Sequence, residues 1–147
     1  MHTSLARPLL CLALSAFAPF AHADECRLQV RDAWLRRPPM AMPMLAGFGR
    51  IENPCTRALT VAGARSPAFA EVSLHETRVV EGVSRMRALP ELRIEPGGAA
   101  TLQPGGLHLM LMRPHGALRA GQKVAVEFTL KEGGSVRGEF VVREAGE

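Results

Sequence analysis

The chain has 147 residues, with 18 Lys and Arg against 14 Asp and Glu, which gives a formal net charge of +4 at pH 7. The basic residues are scattered and have few aromatic residues among them, so the sequence gives little support to nucleic-acid binding. Fourteen glycines and eleven prolines are too many for a mainly helical protein, and they favour a fold in which the chain reverses often.

Residues 1–23 have the pattern of a secretory signal peptide. Arg7 provides a positive start, an apolar run follows, and the small-x-small sequence AHA precedes an acidic pair. The alternative, a transmembrane anchor, is weaker because the apolar run is short and Pro19 interrupts it. We therefore expect cleavage after Ala23 and export to a bacterial periplasm. Residues 24–147 are then expected to form a single domain with no membrane span.

Two cysteines remain after the expected cleavage, Cys26 and Cys55. In an oxidising compartment an isolated pair usually forms a disulfide. The alternative is a metal-binding or redox-active pair, but the two residues lack the C-x-x-C spacing of such sites. We expect a structural bridge that closes a loop of about 30 residues.

Short β-rich runs with period-two alternation recur along the mature chain, and no window shows a sustained helical period with caps. The predicted strands cover residues 26–35, 45–52, 59–64, 72–75, 78–80, 84–87, 92–95, 100–103, 107–112, 122–130 and 135–143. Glu81-Gly82 is typical of a hairpin turn, and further Gly- and Pro-containing turns separate the other strands. This pattern predicts an all-β, antiparallel sandwich or Greek-key β-barrel.

The segment from residue 74 to residue 112 contains the side chains best suited to chemistry. Residues two apart in a strand point the same way, so His108, Met110 and Met112 share one face. His75 ends a predicted strand, and Met86 lies in the hairpin that follows it. If this hairpin packs beside strand 107–112, the side chains of His75, Met86, His108 and Met110 converge.

Imidazole and thioether groups together favour Cu(I). Thioether sulfur is soft and neutral, and it needs no deprotonation and forms no disulfide in an exported protein. A blue-copper electron-transfer site would need a cysteine, and none follows Cys55. The sequence has no H-E-x-x-H zinc motif, no nucleophile elbow and no ordered triad, so we expect a carrier rather than an enzyme.

The spacing H-x10-M-x21-H-x-M, from His75 to Met110, resembles the periplasmic copper-chaperone family often called PCuAC. The resemblance extends over essentially the whole mature chain, through VRDAW at residues 30–34, IENP at 51–54, LHE at 74–76, MR at 86–87 and PGGLHLMLM at 104–112. Some members of that family have a methionine after the first histidine, where this chain has Glu76. Many members also lack the cysteine pair, which suggests a branch with a disulfide.

The resemblance implies a cupredoxin-like β-barrel that binds Cu(I) through His75, Met86, His108 and Met110. It also implies delivery of copper to the CuA or a related centre of a respiratory haem-copper oxidase, with an oxidase subunit or its assembly factors as partners. Two other functions stay open: copper buffering for tolerance, and a metal-free secreted β domain that binds another ligand. We expect a monomer.

The sequence PPMAMPM at residues 38–44 forms a separate methionine cluster of Met40, Met42 and Met44. We interpret it as an irregular loop that covers one end of the barrel, because its prolines fix a loop and no histidine is close in sequence. The alternatives are a second, weaker copper site or a soft docking surface. For the remaining candidates, we expect Met112 and Trp34 to pack in the core and His115 to be exposed.

Overall fold

The computed structural model describes residues 26–146, and all regular structure in this range is β. The strands are β1 (Gln29–Arg37), β2 (Met44–Glu52), β3 (Leu59–Arg65), β4 (Phe69–Val80), β5 (Val83–Ala88), β6 (Leu92–Ile94), β7 (Ala99–Leu102), β8 (Leu107–Pro114), β9 (Lys123–Leu130) and β10 (Ser135–Glu144). The expected all-β fold is confirmed. The expected signal peptide lies outside the described residues. No helix between residues 26 and 146 is long and apolar enough to cross a membrane.

The strands form one sheet that closes on itself. The hydrogen-bonded order runs from β4 through β8, β2, β1, β10 and β9 to β3, and β3 pairs with β4 to close the barrel. Two pairs are parallel, β1 with β10 and β7 with β8, so the expectation of a purely antiparallel sheet is wrong. An extended parallel pair needs a long connection, and β1 and β10 have almost the whole domain between them. β7 and β8 are joined by a short turn and meet at the single pair Leu102 and Leu107.

The core is formed by the inward faces of the barrel strands. Leu109 and Leu111 of β8 are completely buried, and they pack in one cluster with residues such as Leu35, Phe128 and Phe140. Burial of each such side chain contributes about 1.5–3 kcal/mol. Because neighbouring residues in a strand alternate, the even-numbered residues of β8 are directed to the outer face of the barrel wall.

Strand β4 is longer than predicted and joins two predicted segments into one. His75 therefore lies inside a strand, not at its end, because Glu76 and Thr77 continue the ladder. This strand is shared, since its first two thirds pair with β8 and its last part pairs with β5. The predicted hairpin turn is confirmed: Glu81 and Gly82 both have positive φ, at 52° and 76°, as a tight two-residue hairpin turn requires.

The expected disulfide between Cys26 and Cys55 is present, with the two Cα atoms 5.5 Å apart. Cys55 is buried, and it lies in the loop that follows β2. The bridge therefore fastens the segment before β1 to the far end of β2.

Candidate metal centre

Three adjacent strands place the predicted ligands on one outer face of the barrel. β4 lies between β5 and β8. His75 on β4 is directly opposite His108 on β8, and Thr77 on β4 is directly opposite Met86 on β5. Side chains of directly paired residues point to the same side of a sheet, and Met110 follows His108 by two residues. The four predicted ligands therefore share one face.

One ring nitrogen of His108, Nε2, carries no proton and is available to a metal ion. Its Nδ1 lies 3.0 Å from the carbonyl oxygen of Gly106, which can only accept, so Nδ1–H is the donor. In the neutral imidazole this leaves a lone pair on Nε2, which lies 3.2 Å from the Sδ of Met86. The residue is only 7% exposed although it lies on the outer face. A backbone carbonyl that fixes the tautomer in this way is a usual second partner of a metal-binding histidine.

The ring of His75 lies beside that of His108, with centroids 5.9 Å apart. Its Nε2 is 3.0 Å from the Oγ of Ser73. Its Nδ1 is buried and has no hydrogen-bond partner, and among the described residues it is the one buried side-chain nitrogen or oxygen in that condition. Since buried polar atoms are normally paired, an unpaired ring nitrogen beside other donor atoms fits a metal ligand.

Burial lowers the pKa of His75 below its ordinary value of 6.5, and the nearby His108 lowers it further, while Glu71 acts in the opposite direction. The neutral imidazole is therefore favoured at neutral pH. This is the form that binds a metal ion, because the ring must give up its proton to offer a lone pair.

A cavity of about 320 Å³ opens over this face. Met86, His108 and Met110 line it, whereas His75 does not and joins the set through its contact with His108. Met86 is 54% exposed and Met110 is half-buried. Within residues 26–146, no three His, Cys, Asp or Glu side chains form a group that could hold a metal ion. The candidate ligands do not form a group of that kind, because two of the four are methionine thioethers.

The methionine cluster lies closer to this set than its sequence position suggests. Met42 and Met44 line the same cavity, while Met40 is 76% exposed and lines a neighbouring one. Met44 begins β2, so the expectation that all three lie in an irregular loop is wrong for this residue. The sequence signal that was missed is the strand pattern of β2, which already begins at Met44. Met44 points to the same side of the sheet as Ala46, which lies opposite Met110.

Three other candidates lie apart from the cavity. His115 is exposed, as expected, and its Nδ1 donates to the carbonyl oxygen of Pro67 at 3.1 Å. Met112 is half-buried on the outer face and is not part of the core cluster, so the expectation that it packs in the core is wrong. It does not line the cavity either. The expectation that Trp34 packs in the core is wrong, because the residue is half-buried. The centroid of its ring lies 4.7 Å from that of Phe48, which lines the cavity.

Glu76, the residue after His75, points away from the candidate ligands. It follows His75 directly and therefore faces the other side of the strand. Its carboxylate pairs with Arg78 and Arg87, each at 2.9 Å, and hydrogen bonds from these two residues lower its pKa. Glu76 thus joins β4 to β5 and leaves the four-residue set unchanged.

The sequence model of a family described as "Putative lipoprotein LpqE-like" matches residues 28–142. The chain belongs to the LpqE-like family. A protein of Leifsonia xyli subsp. xyli (strain CTCB07) named "Putative lipoprotein Lxx21020" is 37% identical to this LpqE-like chain over 123 residues. That alignment covers 83% of this chain and 72% of the relative.

Solved structures share the barrel of this LpqE-like protein. The copper-bound PCuAC domain from PmoF2 matches with a TM-score of 0.65 and 19% identity, over 80% of this chain and 92% of that domain. The solution structure of CuI-DR1885 from Deinococcus radiodurans matches with a TM-score of 0.64 and 25% identity, over 80% of each chain. The apo form of DR1885 gives the same TM-score over 99% of this chain and 97% of its own. The expected cupredoxin-like fold is thereby confirmed.

Proposed function

We propose that this LpqE-like protein is an exported copper chaperone that binds Cu(I) through His75, Met86, His108 and Met110. The observation that carries the proposal is the unprotonated Nε2 of His108, which lies 3.2 Å from the Sδ of Met86. Neither atom has a proton to share in the neutral state, and a soft cation satisfies both. The buried, unpaired Nδ1 of His75 offers a further donor beside them.

The donor set suits a cargo that has to be released. All four ligands are neutral, so the site gains one positive charge on binding and needs no thiolate to balance it. His108 is fixed by its bond to Gly106, whereas Met86 is more than half exposed on the outermost strand of the sheet. Met86 is therefore the ligand that a partner protein can most readily replace.

Similar proteins support copper as the cargo. The PCuAC domain from PmoF2 is described as copper-bound and DR1885 as a CuI form, and both have this barrel. By the resemblance of its motif, the acceptor is the CuA or a related copper centre of a respiratory haem-copper oxidase, or one of its assembly factors. Delivery of this kind takes place in the periplasm, the compartment expected for this chain.

X-ray absorption of the Cu(I)-loaded mature protein tests the site directly. We expect a first coordination shell that contains both nitrogen and sulfur. In a competition titration with a Cu(I) chelator, the double variant Met86→Ala/Met110→Ala should bind far more weakly than the wild type. Equal affinity would show that the ligand assignment is wrong.

Delivery and buffering make different predictions for a deletion strain. Loss of a delivery protein lowers oxidase activity when copper is scarce. Loss of a buffering protein causes sensitivity when copper is in excess. We expect the first phenotype, and the second alone would favour buffering.

A further inference from the structure

The cavity contains two thioethers that the proposed site does not use. Met42 and Met44 line it from the side of β2, whereas Met86 lines it from the side of β5. Strand β8, with His108 and Met110, runs between these two sides. The cavity therefore has soft donors on both sides of the central strand.

Strand register explains why Met44 comes close to Met110. Ala46 is directly opposite Met110, and Met44 is directly opposite Met112. Met44 and Met110 are consequently diagonal neighbours, a relationship that separates their positions by about 7–8 Å and is within reach of long side chains. The small side chain of Ala46 leaves room between them. Met42, in the loop before β2, is 49% exposed and lines both this cavity and the neighbouring one.

We propose that Met42 and Met44 form a second, weaker Cu(I) position on the β2 side of the same cavity. This inference rests on the proposed function, because it assumes that the first ion binds at the set formed by His75, Met86, His108 and Met110. Movement of the ion from the first position to the second breaks its four bonds, to two imidazole nitrogens and two thioether sulfurs, and forms two Cu–S bonds, to Met42 and Met44. Copper stays as Cu(I), and no electron or proton is transferred. The ion can thus change ligands without leaving the cavity.

The six methionines after residue 23 allow both positions to be observed in one experiment. The mature protein is labelled with ¹³C at the methionine ε-methyl groups and titrated with Cu(I) under anaerobic conditions. The first equivalent should shift the signals of Met86 and Met110. The second should shift those of Met42 and Met44, while Met40, which is in the same loop but does not line this cavity, should stay unchanged.

Leucine variants provide the matched test. Met42→Leu/Met44→Leu should lose the second equivalent of Cu(I) and keep the first, whereas Met40→Leu should keep both. If Met86 and Met110 shift but Met42 and Met44 never do, the second position is wrong and the proposed function stands. If no methionine signal responds to Cu(I), both proposals are wrong.

Discussion

The Nε2 atom of His108 and the Sδ atom of Met86 meet at 3.2 Å across an intervening strand. His108 belongs to β8 and Met86 to β5, and β4 lies between them. At the usual spacing of neighbouring strands, the two backbones are about 9–10 Å apart. The contact is possible because both side chains are long and lean over β4. It therefore depends on the hairpin formed by β4 and β5, which makes this hairpin part of the site.

Met110 and Met112 are a matched pair for testing the ligand set, because they lie two residues apart on the same strand. Met110 lines the cavity and Met112 does not. Met110→Leu should weaken Cu(I) binding at least tenfold, which corresponds to ~1.4 kcal/mol, whereas Met112→Leu should leave it unchanged. Leucine has a similar volume to methionine, so folding should cost less than about 1.5 kcal/mol in either variant. A competition titration measures both affinities, and equal losses would contradict the assignment.

The local pattern of the sequence was sufficient to predict most strands and the shared face of His108 and Met110. It failed where tertiary pairing decides the outcome. Glu76 and Thr77 look like an interruption, but β5 and β8 both pair with this part of β4 and keep it extended. Met44 looked remote because its proximity to Met110 arises from the pairing of β2 with β8, which residues 38–44 alone do not reveal.

The disulfide should stabilise the fold without affecting copper binding. Closure of the loop between Cys26 and Cys55, separated by 29 positions, contributes about 3–4 kcal/mol to the free energy of unfolding in the chain-entropy model. Cys26→Ala/Cys55→Ala should lose about this amount in urea denaturation. Its Cu(I) affinity should equal that of the wild type, since Cys55 follows the end of β2 opposite to Met44. A large loss of affinity would instead place the cysteines in the metal site.

Gly49 is required where β1 and β2 pair irregularly. The register shifts between Arg31 and Trp34, and Gly49 has φ of 147°. A Cβ atom there would lie 2.9 Å from the Cα of Ala33, which is backbone and cannot move aside. Gly49→Ala should therefore lower the free energy of unfolding by about 2 kcal/mol or more. Gly63→Ala is the control, because nothing lies within 4 Å of its added Cβ, and equal effects in urea denaturation would contradict this account.

The pKa of His75 should depend on its charged and titratable neighbours, His108 and Glu71. Its pKa lies below 6.5, chiefly because of burial and then because of His108, while Glu71 raises it. In the apo protein, NMR of the His75 ring should give a midpoint below 6.5. His108→Gln should raise this midpoint, and Glu71→Gln should lower it. Because the unfolded chain binds this proton more readily, stability falls as the pH drops from 6.5 towards the midpoint of the folded state. A midpoint above 6.5 would contradict a partly buried ring that is neutral and able to bind the metal.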